Sequence, residues 1–95
     1  MFYYYVVYKA FPGKAKEFVD ELESSGLADT VRKEKGCIKY DYYYDAKAPD
    51  TVLLVEAWES QEDQQIHIAQ PHMDNVRALK TKYIEDVKLG VYFPL

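Results

Sequence analysis

Ninety-five residues, 48% of them apolar, with 12 lysines and arginines against 16 aspartates and glutamates and a formal charge of −4, set narrow bounds. One compact domain over residues 1–95 is expected, with no room for a second core, and an isoelectric point near 5.1 without any local run of Lys or Arg argues against nucleic acid as a partner. The longest apolar stretches, residues 52–55 and, counting phenols, 3–8, fall far short of the roughly 20 residues that span a bilayer, so neither a membrane protein nor a signal-peptide precursor is expected.

Residues 2–11 are almost continuously aromatic, β-branched or otherwise bulky, which favours a strand buried on both faces, and Pro12-Gly13 ends it. From Lys14 the pattern changes to helical spacing, with Phe18, Leu22, Leu27 and Val31 set among charged residues. Ser24-Ser25-Gly26 should kink this helix or close its first part, leaving a second piece over residues 27–35 before Gly36. Cys37–Tyr44 alternates, with Ile38, Tyr40, Tyr42 and Tyr44 on one face, and residues 45–50 form a turn into a second strand over 51–59, giving a β-hairpin. Ser60 is a good N-cap, with Glu62 and Asp63 in the first turn where acids suit the helix dipole. That helix must stop near Gln70, because Pro71 disfavours helical geometry in the residue before it; a further turn or two over 72–80 and a final strand over 83–92 complete the chain.

The order strand, helix, strand, strand, helix, strand is that of a ferredoxin-like split βαβ fold, an α+β architecture with a four-stranded antiparallel sheet and helices on one face. Such a sheet leaves its second face bare. A small domain has a thin stability margin, and ten tyrosines are more than a monomer core of this size readily accepts. Two sheets packed face to face in a homodimer would answer both problems. The single cysteine, Cys37, can form neither an internal disulfide nor a cysteine metal cluster, which points to a reducing, cytoplasmic setting. It reads as a small buried strand residue rather than a nucleophile, and the tyrosine clusters read as strand and interface residues rather than a radical relay.

No phosphate-cradling glycine loop, HExxH, CxxC or GxSxG is present. His67 and His72 sit five apart across Pro71 and do not share a helix face as a metal pair would, so no metal is expected. The informative stretch runs from Val55 to Ser60. Alternation puts Glu56 and Trp58 on one strand face with Leu54; if that face looks at the helices, a carboxylate, an indole and the His67 imidazole converge around an enclosed hollow. A half-buried carboxylate beside an indole disfavours its own ionisation, and a neighbouring histidine is its natural proton partner. The same residues also admit a structural reading, in which Glu56 pairs with an edge lysine, Trp58 fills the core and His67 ties helix to sheet.

Pro12-Gly13-Lys14 with Glu17-Phe18, then Glu34-Lys35-Gly36-Cys37-Ile38-Lys39-Tyr40, then Glu56-Ala57-Trp58 with His67 nine residues on, resemble the antibiotic biosynthesis monooxygenase family over nearly the whole chain. The resemblance implies a dimeric α+β barrel. Characterised members include cofactor-independent monooxygenases of quinols and polyketide aromatics, haem-degrading relatives, and an isomerase of a phosphorylated autoinducer-2 breakdown product, so activity varies within one architecture. Carried over by position, His67, Glu56 and Trp58 are the catalytic candidates. Val6 stands where haem-degrading relatives place an asparagine, which disfavours that activity. Gln70-Pro71-His72 and the ending Val91-Tyr92-Phe93-Pro94-Leu95 resemble the isomerase branch, while Gln64 and Gln65 depart from the small apolar residues common in relatives.

The favoured reading is a monooxygenase without cofactor that oxidises a quinol or phenol with O2. In it His67 acts as base, Glu56 orients His67, Trp58, Tyr4 and Tyr8 wall the ring, and Val6 and His72 join the substrate site. The isomerase reading needs a cation for phosphate, with Lys39, Arg32 and Arg77 as candidates. A dimer that binds a small ligand without turnover stays open beside both.

Overall fold

A computed structural model describes residues 1–92. Eight elements follow one another: β1 (Phe2–Ala10), α1 (Ala15–Ser24), α2 (Leu27–Arg32), β2 (Cys37–Tyr44), β3 (Thr51–Trp58), α3 (Gln61–Ile68), α4 (Met73–Tyr83) and β4 (Ile84–Val91). The four strands form one antiparallel sheet in the order β2-β3-β1-β4. This is the ferredoxin-like α+β fold. No helix among the described residues is long and apolar enough to cross a membrane.

Cross-strand register decides which side chains meet. Tyr4 pairs with Glu56, Val6 with Leu54 and Tyr8 with Val52, while Tyr40 and Tyr42 on β2 stand opposite Glu56 and Leu54. These residues share the face that packs against Phe18, Leu22, Val31, Met73, Val76, Leu79 and Tyr83 of the helices. Phe18 is fully buried and meets Tyr8 edge-on at 5.3 Å between ring centroids. A buried side chain of this kind contributes about 1.5–3 kcal/mol relative to exposure, so this single layer accounts for most of the chain's apolar stabilisation. The opposite face carries Tyr3, Tyr5, Val7, Leu53 and Val55, all only partly covered, with Tyr43 exposed.

Several sequence expectations shift. Within one chain β1 alternates, burying Val6, Tyr8 and Ala10, instead of being covered on both faces; Phe11 lies past its end and is exposed. A bulge between Cys37 and Lys39 throws Ile38 outward, off the face it was expected to share with Tyr40. Cys37 is therefore half-buried opposite Trp58. The second helical piece ends at Arg32 rather than residue 35, and Gly36 takes a left-handed φ of 81° to enter β2. α4 runs on to Tyr83 because Val76, Leu79 and Tyr83 keep helical spacing against the core. Of the ending Val91 to Leu95, Phe93, Pro94 and Leu95 lie outside the described residues.

Candidate active site

The end of β3 and the start of α3 bring the chemistry together. Glu56 and Trp58, two apart on one strand face, point under the helices and are 4% and 0% exposed. The Ser60 hydroxyl accepts the Asp63 amide N–H at 3.1 Å, which fixes where α3 begins. From that start Gln64 and His67, three apart, turn inward. α4 then supplies Met73, Arg77 and Lys80 along one side. The result is a cavity of about 190 Å³, with Tyr4, Val6, Tyr8, Leu54 and Glu56 from the sheet facing His67, Gln64, Met73 and Lys80 from the helices. It is not sealed: Ile68, Arg77 and Leu89, all exposed, form its rim.

Inside, the Trp58 indole N–H donates to Glu56 Oε1 at 3.0 Å. The Trp58 and His67 rings lie 4.7 Å apart at 30°, and Tyr40 meets His67 edge-on at 5.6 Å. His67 Nε2 stands 3.9 Å from Glu56 Oε1, too far for a hydrogen bond. Its Nδ1 is instead 2.9 Å from Glu34 Oε2. A carboxylate only accepts, so this contact places the His67 proton on Nδ1 and leaves Nε2 as a proton acceptor turned toward Glu56. The contact to His67 expected of Glu56 is made at hydrogen-bond distance by Glu34.

Burial sets the electrostatics. It raises the Glu56 carboxyl from its ordinary 4.5 to about 7, against the opposing pull of the indole hydrogen bond and the Lys80 charge. It lowers His67, although Glu34 favours the cation, so burial works toward the neutral imidazole. Lys80 is also lowered by burial, with Glu56 acting the other way, and its ammonium lies 5.4 Å from the Tyr8 ring centroid. The Tyr8 and Tyr40 phenols are pushed well above their ordinary range by burial, and Tyr4 is raised by burial and Glu56. These phenols therefore keep their protons, and their rings line the cavity. Burial, with Glu34 and Glu56 nearby, pushes the Cys37 thiol up to about 11, which makes it a poor nucleophile.

Of the residues singled out from sequence, Glu56, His67, Tyr4, Val6 and Tyr8 line the cavity. Trp58 lies behind its wall, against His67 and Glu56, and His72 lies outside it, with Nε2 2.9 Å from Glu34 Oε2. Among the three candidate cations for a phosphate only Arg77 reaches the cavity. Arg32 is held by Glu23, Asp29 and the Tyr40 carbonyl, and Lys39 by Asp41. Gln64 lines the cavity and accepts from Gln65 Nε2 at 3.2 Å. Sequence reasoning missed Glu34, Lys80 and Tyr40 as site residues. Lys80 was visible as the seventh residue on from Met73, on the same side of a helix whose end was placed too early. Glu34 had no such signal, because it lies in the turn after α2 and reaches His67 across 33 residues of chain. Among the described residues no group of His, Cys, Asp and Glu side chains is arranged to hold a metal ion.

The family model of antibiotic biosynthesis monooxygenases matches residues 1–79. Solved structures match over nearly the full chain. A protein from Nitrosomonas europaea superposes with a TM-score of 0.85 at 21% identity, covering 100% of this chain and 99% of that one. A structure named antibiotic biosynthesis monooxygenase gives 0.83 at 20% identity, covering 100% and 99%. A conserved protein from Methanosarcina mazei gives 0.77 at 26% identity, covering 97% and 92%. No curated protein matches the chain.

Proposed function

Since this chain belongs to the antibiotic biosynthesis monooxygenase family, we propose that it binds a quinol or phenolic small molecule in its cavity and oxidises it with O2, without a cofactor, as a homodimer in the cytoplasm. The observation that carries this reading is the His67 imidazole, fixed by Glu34 at Nδ1 and presenting Nε2 to a cavity walled by Tyr4, Tyr8 and Tyr40. The cavity lies below the roughly 300–1,000 Å³ of sites for drug-sized ligands, which suits a molecule of one or two rings.

His67 Nε2 takes the phenolic proton, and the resulting oxyanion lies within the field of the Lys80 ammonium. The electron-rich ring then reduces O2. One oxygen atom ends on a ring carbon, the other leaves as water, and the four electrons required all come from the substrate. Glu56, half-protonated near pH 7, returns a proton to the departing oxygen. Trp58 holds Glu56 by its indole N–H and supports His67 from behind. Val6 offers no polar group, which disfavours the haem-degrading activity.

Lys80 inside the cavity and Arg77 at its rim, whose guanidinium donates to Asp74 and to the Ile68 carbonyl and would have to exchange these contacts, favour a second reading, in which they hold the phosphate of a hydroxydione while Glu56 and His67 shuttle a proton between its carbons. Oxygen consumption across a panel of quinols and phenols, with no cofactor added, tests the first reading; turnover with at least one is expected. Silence across the panel with isomerisation of the phosphorylated hydroxydione would replace it by the second. Binding of a quinol with no turnover of either kind would leave a ligand-binding dimer.

A further inference from the structure

We propose that Glu34 and His72 form a proton route joining His67 to the protein surface, so that the base of the cavity exchanges its proton through the wall behind it. The inference rests on the reading of His67 as that base. One oxygen, Glu34 Oε2, lies 2.9 Å from His67 Nδ1 and 2.9 Å from His72 Nε2. Side-chain exposure rises along the file, from 3% for His67 through 11% for Glu34 to 23% for His72. The turn at Pro71 makes this possible. It separates His72 from α3, so two imidazoles five residues apart reach one carboxylate oxygen, one from the helix and one from the turn before α4.

Each step moves one proton and no electrons. His67 accepts a proton at Nε2, and its Nδ1–H bond then breaks as the proton passes to Glu34 Oε2. Beside an ionised Glu34, His72 carries its proton on Nε2, so it accepts from Glu34 only after it has shifted to its Nδ1–H tautomer by exchange with water, and the His72 cation then releases its Nδ1 proton to water. The file resets when His67 returns its Nε2 proton on the cavity side and regains Nδ1–H from Glu34, which has taken a proton from water by way of His72. Each donor and acceptor already lies at hydrogen-bond distance, and no ring has to leave its place. The ionisable groups around His67 are Glu56 from β3, Tyr40 from β2, Lys80 from α4, and Glu34 and His72 from the two turns. Glu56 is tied to Trp58 and both it and Lys80 face the cavity, so Glu34 and His72 are the pair that leads outward.

The test is the solvent exchange rate of the His67 Nδ1 proton, read by NMR on protein labelled with 15N in histidine. His72→Gln keeps an amide N–H that can donate to Glu34 but cannot pass a proton on. Exchange about tenfold slower or more than wild type at pH 7, with Nδ1 still protonated, is expected. A rate equal to wild type overturns the proposal. His72→Ala gives a second arm: slow exchange restored by added imidazole is expected, and exchange as fast as wild type without imidazole overturns it. Neither arm uses a substrate. Absence of oxygen uptake would therefore sink the monooxygenase reading alone, whereas unchanged exchange would remove the proton route alone.

Discussion

Glu56 is more costly to ionise inside the fold than in the unfolded chain. With its carboxyl raised from 4.5 to about 7, the native state binds the proton more tightly, so its stability falls as pH rises through that window. The full penalty, on the order of 3 kcal/mol, is present above pH 7 and absent below about 4.5. Glu56→Gln keeps an acceptor for the Trp58 indole and has no charge to bury. It should therefore be more stable than wild type above pH 7, by up to ~3 kcal/mol, with the gap closing toward pH 4.5. Urea denaturation of both proteins across that range measures the gap, and a pH-independent gap would contradict the account. His67 slopes the other way in both proteins: its lowered value means stability is lost as pH falls below about 6.5. The pairing of Glu56 with Trp58 was legible from strand alternation, and His67 from its helix position. The partner of His67 was not, because Glu34 meets it only through tertiary packing.

Among the elements, the short turn from α2 into β2 controls the site, since it carries Glu34. Gly36 in that turn has a φ of 81°, and a Cβ there would collide with the Asp63 side chain. Gly13 has a similar φ of 77° with open space around it. Gly13→Ala should therefore cost only the left-handed backbone term, about 1–2 kcal/mol. Gly36→Ala should cost distinctly more, because Asp63 must also move and α3 begins beside it. Thermal or urea denaturation of the two variants compares them directly; equal losses would mean that the Asp63 contact carries no weight. A second element-scale prediction concerns Ser60→Ala, which should lose about 1 kcal/mol by removing the cap of α3. Ser60 was readable from sequence because capping is a local matter of residue type and spacing. The bulge that turns Ile38 outward was not readable, because it is set by pairing with β3. The extension of α4 was missed for a related reason, as charged residues at its end obscured the apolar spacing that buries Leu79 and Tyr83.

At the scale of the molecule, the sheet face bearing Tyr3, Tyr5, Val7, Leu53 and Val55 is only partly covered and has no helix over it among the described residues. Pairing of two such faces is the expected assembly, and Val55→Asp should convert a dimer to monomer by burying an unpaired charge at its centre. Sedimentation velocity decides this; a monomeric wild type, or a dimeric Val55→Asp, would contradict it. The four-stranded architecture was legible because turn signals at Pro12-Gly13, at residues 45–50 and at Ser60 bound apolar runs of strand length. The open mouth of the cavity was not, since it depends on how far the helices leave β4 uncovered, where Leu89 is 63% exposed. On the proposed reading His67 is the base of a cavity that oxidises a phenolic ring. Oxygen uptake with a dihydroxynaphthalene, compared between wild type and His67→Ala with no cofactor added, tests it most directly. His67→Ala should lose about 10²–10⁴-fold in kcat with the fold intact by circular dichroism; equal turnover in the two proteins would rule out His67 as the base.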